Sequence, residues 1–177
     1  MNRVKLIIID VDGTLTDGKI YMGNDGEVMK AFNIKDGYAF YKLLPDNDIV
    51  PVIITGRQSA IVENRCKELG VTEIYQGCTD KKTKMLEIAQ KEGLEINSDG
   101  RIMGCAYIGD DILDIPGMEI SEVVGCPSDA VDEVKDLADY VCANNGGNGA
   151  FREFVEWLIK EHQLRKLASY KNRKYIS

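Results

Sequence analysis

The chain has 177 residues, 29 acidic against 22 basic side chains, a net charge of −7 and 44% hydrophobic residues. That is the length of one domain with ample apolar sequence for a core, and the acidic balance argues against a nucleic-acid footprint. The single histidine, His162, lies far along a polar C-terminal stretch, so chemistry built on a histidine base or nucleophile is disfavoured.

The five cysteines (Cys66, Cys78, Cys105, Cys126 and Cys142) are odd in number and form no CxxC pair. Reduced thiols in a cytoplasmic protein fit this better than a disulfide framework or a zinc site. No stretch approaches the length of a membrane span, and the chain opens directly on strand-like residues with no signal-peptide pattern.

Val4–Asp17, VKLIIIDVDGTLTD, is an aliphatic run that ends in two aspartates one residue apart, Asp10 and Asp12, followed by Gly13. Such a run reads as a buried parallel strand, and ligand sites in open α/β sheets lie beyond strand carboxyl ends. Two adjacent carboxylates with no basic residue between them repel each other unless a cation intervenes, and a hard divalent ion suits an all-oxygen site. The plainer alternative is an acidic turn at Asp12-Gly13.

Lys19–Met22 and Glu27–Phe32 are short β-prone runs around Gly23-Asn24-Asp25-Gly26, which predicts a hairpin. A short helical pattern over 38–44 follows Asp36-Gly37 and is expected to stop at Pro45. Ile49–Thr55 is a second buried strand, running into Gly56 and Arg57. A helix is predicted over Ser59–Leu69, with Gly70 as its stop. Glu73–Gln76 is a short third strand. Thr79 or Asp80 can cap the next helix, which carries Lys81 in its first turn.

Gly104–Ile108 is a fourth strand that again ends in acids, Asp110 and Asp111, with Asp114 three residues on. Glu122–Cys126 and Tyr140–Ala143 read as further strands, with Ser128 capping a helix over Asp129–Leu137 between them. Gly146-Gly147-Asn148-Gly149 precedes a last helix over Phe151–Ile159. The alternation of strands and helices predicts a doubly wound α/β layer with a parallel sheet. The expected organisation is one domain over 1–163, with a hairpin at about 18–32, and a basic tail over 164–177. That tail reads either as a solvated end or as an arm that visits an anionic ligand.

The four strand-end clusters fit one chemistry. Asp10 can attack phosphorus and form an aspartyl-phosphate. Asp12 can protonate the leaving alkoxide and later activate water. Thr55 can donate a hydrogen bond to the transferring phosphoryl group, and Lys81 supplies fixed positive charge for its oxygens. Asp110 would complete a metal site, with Asp111 and Asp114 as ligands or as groups supporting the ligands. Singly, each has a structural alternative: Thr55-Gly56 a turn, Lys81 a surface charge, Asp110-Asp111 a capping pair.

DVDGTLTDG, VIITGR, the lysine of GCTDKK and YIGDDILD resemble the four motifs of the haloacid dehalogenase-like phosphohydrolases over nearly the whole chain. The resemblance implies a Rossmann-like fold with Asp10 as nucleophile and Asp12 as general acid/base. It also implies Mg2+ held by Asp10, the Asp12 carbonyl and Asp110. Family dehalogenases lack the second aspartate and the transport ATPases carry threonine there, so Asp12 points to phosphoester hydrolysis.

Between Asp12 and Thr55 there is room for the hairpin and one short helix but for no cap domain, and the Lys81–Asp110 interval is as short. This layout is similar to the capless branch, in which a hairpin helps to assemble a homotetramer and neighbours roof each other's sites. Within that branch, FNIKDGYAF, IVENRCKELGVTEIYQG and GGNGAFREF resemble the 3-deoxy-D-manno-octulosonate 8-phosphate phosphatases, and also their relatives acting on nine-carbon sialic acid-type 9-phosphates. Such acid sugars carry a carboxylate besides the phosphate. The expected substrate contacts are therefore Gly13, Lys35, Gly56, Arg57 and Arg152, with Arg57 and Arg152 also able to serve as structural ion pairs. The alternatives are a module that associates with the cytidylyltransferase acting next on the sugar, and a phosphotransferase or phosphomutase, which the lack of a cap to keep water out disfavours.

Overall fold

The computed structural model describes residues 3–173, with side chains described through residue 161. Among these residues six parallel strands form one sheet in the order β5-β4-β1-β6-β7-β8. The strands are β1 (Leu6–Ile9), β4 (Val50–Ile54), β5 (Glu73–Tyr75), β6 (Ile102–Ile108), β7 (Ser121–Cys126) and β8 (Tyr140–Val141). In order of appearance along the chain, the first strand of the sheet is flanked by the second and the fourth. Strand order therefore reverses between β1 and β6, where the crevice for ligands opens in doubly wound sheets.

All four residues of β1 are buried, because helices cover both faces of the sheet. The strand alternation divides the core in two. Ile7 and Ile9 face a cluster with Phe40, Val62, Phe151, Phe154 and Leu158. Leu6 and Ile8 face Met85, Ile88, Met118 and Val134. The first cluster is built by the helical segment that continues α1 (Ile34–Tyr38), by α3 (Ala60–Glu68) and by α7 (Ala150–Arg173). The second is built by α4 (Lys81–Lys91), α5 (Ile115–Met118) and α6 (Asp132–Leu137).

The helix expected over 38–44 begins earlier, with Asn33 capping α1 through the Lys35 N–H, and it does not end at Pro45. A π-helical segment over Ala39–Leu43 runs into α2 (Leu44–Asp46), where Pro45 sits in the first turn. A proline ring collides with the carbonyl four residues before it in a regular helix. Widening the preceding turn, with the Leu44 N–H bonded to the Ala39 carbonyl, removes that conflict.

Ser128 does not cap α6, which starts at Asp132 without a side-chain cap. Ser128 bonds the Asn145 side chain instead, and Asp129 accepts from the Gly146 N–H at 2.9 Å. Both are spent on anchoring the glycine-rich loop.

The hairpin forms its own two-stranded sheet, β2 (Tyr21–Gly23) and β3 (Gly26–Met29), shorter than the runs that predicted it. It ends at Met29 because the next residue, Lys30, turns into the protein. The predicted α7 starts one residue early, at Ala150. Its backbone continues through Arg173, across the expected start of the basic tail. The side chains of 162–173 and all of 174–177 lie outside the described residues.

The glycine-rich loop lies directly on the loop after β1. The Gly147 N–H donates to the Thr14 carbonyl at 3.0 Å, and a Cβ on Gly146 would stand 1.7 Å from the Gly13 carbonyl oxygen. Backbone blocks that approach, so the loop itself would have to move. Gly146→Ala is expected to lower unfolding stability by about 1–3 kcal/mol in urea titrations, as overpacking does.

Candidate active site

Parallel pairing brings the ends of β1 and β6 together, with the Asp10 N–H donating to the Ile108 carbonyl at 3.0 Å. Asp10, Asp110 and Asp114 each offer a carboxylate oxygen within 4.8 Å of the others. The first residue of α4, Lys81, is 4% exposed and reaches Asp10 Oδ1 at 2.5 Å and Asp114 Oδ1 at 2.6 Å. Asp80 caps that helix through the Thr83 N–H, which sets the turn that aims Lys81 inward.

These groups are buried and their charges do not balance. Burial first, and then the Asp114 charge, raise the Asp10 pKa to about 7 against the pull of Lys81. Burial first, and then Asp10, raise Asp110 to about 8. Burial works to lower the Lys81 pKa, but Asp10 and Asp114 overcome it and the ammonium is held above its ordinary value. A buried oxygen-only donor set whose carboxylates resist ionising fits a hard divalent cation, which would supply the missing positive charge.

The three carboxylates are not equivalent. Asp114 Oδ1 accepts from Lys81 and, at 2.7 Å, from the Tyr107 hydroxyl. Its Oδ2 accepts from the Asp110 and Asp111 N–H groups at 3.0 and 3.1 Å. Four donors fill the four acceptor positions of a carboxylate, so Asp114 is a brace for the Asp110 loop and for Lys81. Asp110 is steadied at Oδ1 by the Thr14 hydroxyl at 2.9 Å. Gly13, at φ +96, passes so close that a Cβ there would stand 1.9 Å from Asp110 Oδ2. Asp111 is exposed and caps the short 3-10 turn Ile112–Asp114.

Asp12 is paired with Lys30, and Lys30 also lies 2.9 Å from Glu27. Burial works against the Lys30 cation, yet its bonds to Asp12 and Glu27 raise its pKa. Arg57 Nε lies 3.9 Å from Asp12 Oδ2, and an Arg57 terminal nitrogen lies 3.9 Å from Glu27. Thr55 is buried just past β4, its N–H on the Tyr75 carbonyl and its carbonyl on the Cys78 N–H, and Gly56 follows with open space where a Cβ would be.

The other two expected substrate cations are placed differently. Lys35 is exposed in the first turn of α1. Arg152 lies over the Tyr38 ring at 4.4 Å and pairs with Glu156 at 2.6 Å, while its N–H donates to buried Asp36 at 2.8 Å. Of the three, Arg57 is the one whose side chain pairs with a carboxylate at the site, Asp12, among the described residues.

Sequence reasoning did not single out Lys30, Tyr107, Thr14 or Glu27. Thr14 could have been found as the hydroxyl directly after Asp12-Gly13. Lys30 and Tyr107 carry no local signal, since each reads as an ordinary strand residue.

No family model matches the chain. It is 42% identical over 157 residues to 3-deoxy-D-manno-octulosonate 8-phosphate phosphatase KdsC of Escherichia coli (strain K12), covering 89% of this chain and 80% of that protein. The Moraxella catarrhalis 3-deoxy-D-manno-octulosonate 8-phosphate phosphatase, in complex with a magnesium ion, a phosphate ion and KDO, superposes with a TM-score of 0.82. It shares 36% identity and covers 94% of this chain and 93% of that one. The cobalt-bound Haemophilus influenzae deoxy-D-mannose-octulosonate 8-phosphate phosphatase gives a TM-score of 0.81 at 34% identity, covering 89% and 88%. With that identity over most of both chains, and with the strand-end acids and the buried lysine in place, this chain belongs to the 3-deoxy-D-manno-octulosonate 8-phosphate phosphatase family of haloacid dehalogenase-like phosphohydrolases.

Proposed function

We propose that the protein is a Mg2+-dependent phosphatase that hydrolyses the phosphomonoester of 3-deoxy-D-manno-octulosonate 8-phosphate. The observation that carries this reading is the buried Asp10–Lys81–Asp110 cluster at the strand-order reversal, with Asp12 two residues from the nucleophile. Asp10 and Asp110, with the Asp12 carbonyl, would hold the metal. Bound there, Mg2+ offsets the charge that an incoming phosphate brings to a carboxylate-rich site.

An Asp10 oxygen attacks phosphorus and the bond to the sugar oxygen breaks, with Asp12 giving that oxygen its proton. Asp12 then takes a proton from water, whose oxygen attacks the same phosphorus. The bond from phosphorus to Asp10 breaks and inorganic phosphate leaves. Lys81 keeps Asp10 placed and its charge balanced throughout, and Thr55 and Gly56 line the phosphoryl side. Arg57, half-exposed beside Asp12, is the nearest cation for a sugar carboxylate, since its planar fork can bind one bidentately.

The nine-carbon 9-phosphates have the same two anionic ends and remain the second substrate class. We further propose a homotetramer assembled through the hairpin, whose Met22, Val28 and Met29 are exposed. Exposed apolar side chains on so short a sheet fit partner surfaces better than solvent. A cytoplasmic setting is supported by five unpaired cysteines. No helix among the described residues is long and apolar enough to cross a membrane. A functional link to a sugar cytidylyltransferase is an inference from the substrate alone.

Phosphate release measured with Mg2+ should favour the eight-carbon 8-phosphate over nine-carbon 9-phosphates and neutral hexose phosphates. It should fall to background in Asp10→Asn, and by about 100-fold or more in Lys81→Met, as when one fixed charge aimed at a transition state is removed. No release above the Asp10→Asn blank on any substrate would leave the association module as the better reading.

The metal can be tested by melting alone. Asp10 and Asp110 have folded pKa values raised to about 7 and about 8 from 3.8. From about pH 4 upward the unfolded chain releases protons that the metal-free fold retains, so stability from these groups is lost as pH rises to about 8. Mg2+ binds the ionised carboxylates and should therefore raise Tm more at pH 8 than at pH 5.5, and little at either pH in Asp110→Asn.

Light scattering should give a tetramer for the wild type. Charge placed on the hairpin, as in Met22→Asp with Val28→Asp, should give smaller species with reduced turnover. A fully active wild-type monomer would remove the tetramer from this reading.

A further inference from the structure

Asp12 is held by an ion that the established motifs do not include. The Lys30 side chain is 1% exposed and Asp12 is 18% exposed, so Lys30 cannot reach a substrate and acts only through its neighbours. It donates to Asp12 Oδ1, while the cation that pairs with Oδ2 among the described residues is Arg57, whose Nε is 3.9 Å away. Lys30 also forms an ion pair with Glu27 Oε1 at 2.9 Å, and Glu27 Oε2 accepts from the Ser59 hydroxyl at 2.5 Å. Ser59 is the N-cap of α3 and is fixed by the body of the fold, its own N–H bonded to Gln76. A continuous chain of polar contacts thus runs from α3, through the hairpin strand β3, to the Asp12 carboxylate.

We propose that Lys30 is a positioning residue that pins Asp12 by Oδ1 and leaves Oδ2 as the oxygen that exchanges the proton, with Glu27 holding Lys30 in register. The inference rests on the phosphatase reading above. A carboxylate that must serve as acid in one half-reaction and as base in the next gains from having one oxygen immobilised. Proton transfer requires reach within hydrogen-bond distance in both steps, and a displacement of about 1 Å can cost about 100-fold in rate. Since Lys30 and Glu27 both belong to the hairpin, hairpin placement also becomes a condition for Asp12 geometry.

The test is steady-state hydrolysis of the acid-sugar phosphate by the full chain with Mg2+, on wild-type and Asp12→Asn backgrounds. Lys30→Met should lower kcat by about 10–100-fold with KM changed by less than about threefold, a fraction of what a general acid/base supplies. Lys30→Arg, which keeps the donor, should recover to within about fivefold of wild type. On the Asp12→Asn background Lys30→Met should change the residual rate by less than about twofold, since the two residues act as one unit.

Glu27→Gln retains Lys30 and should show a smaller kcat loss that also vanishes with Asp12→Asn, which keeps the idea testable if Lys30→Met folds poorly. An unchanged kcat in Lys30→Met would overturn the proposal, and so would equal losses on both backgrounds. A wild type no faster than Asp10→Asn would instead bring down the phosphatase reading on which the proposal rests.

Discussion

The rest of the site depends on one ammonium group shared by two buried carboxylates. Lys81 Nζ lies 2.5 Å from Asp10 and 2.6 Å from Asp114, and all three residues are almost fully excluded from solvent. Desolvating any of these charges alone would be costly, and the pair is tolerable only because further donors complete it. Tyr107 and two backbone N–H groups do so at Asp114, which frees Lys81 to neutralise Asp10. What remains is a third acid, Asp110, with no cation of its own. With three carboxylates to one ammonium, the fold builds a site two positive charges short, and the arrangement is first of all a receptor for a divalent cation.

The sheet makes that arrangement possible at small conformational cost. Asp10 follows β1 and Asp110 follows β6, neighbours held in register by Ile9 opposite Ile108. Lys81 arrives on the first turn of a helix whose cap is one residue before it. None of these residues depends on a long loop for its position, so little entropy is lost in fixing them when a ligand binds.

This is also why so much was legible in advance. Aliphatic runs that stop at acids mark strand ends, and strand ends meet at the crevice of a doubly wound sheet, so Asp10, Asp12, Thr55 and Asp110 could be placed together from pattern and order. Legibility failed where a residue's role is set across the chain. Lys30 stands 18 residues from the carboxylate that it holds, on a hairpin whose own pattern says only that it alternates. Tyr107 reads as a buried strand aromatic until its hydroxyl is seen on Asp114. Asp114 looked like either a ligand or a support, and only a count of its four donors separates the two. Pro45 announced a stop that a single widened helical turn absorbed.

The hairpin is the least self-sufficient part of the structure. Two strands of three and four residues cannot hold themselves in water. The base is secured by Lys30 on Asp12 and Glu27 on Ser59, the first tie running into the site and the second into the cap of α3. Farther out, Met22 and Val28 are exposed and nothing in the described protomer covers them. An open site with no cap, the Asp12 carboxylate tied to a marginal hairpin and exposed apolar side chains on that hairpin form one connected problem. Covering those side chains with further copies would solve all three parts together. It would shield the apolar side chains, steady the strand that leads into Lys30 and bring another protomer's surface toward the open crevice. In the proposed tetramer, association and acid/base geometry are then set by the same short hairpin and the lysine that follows it.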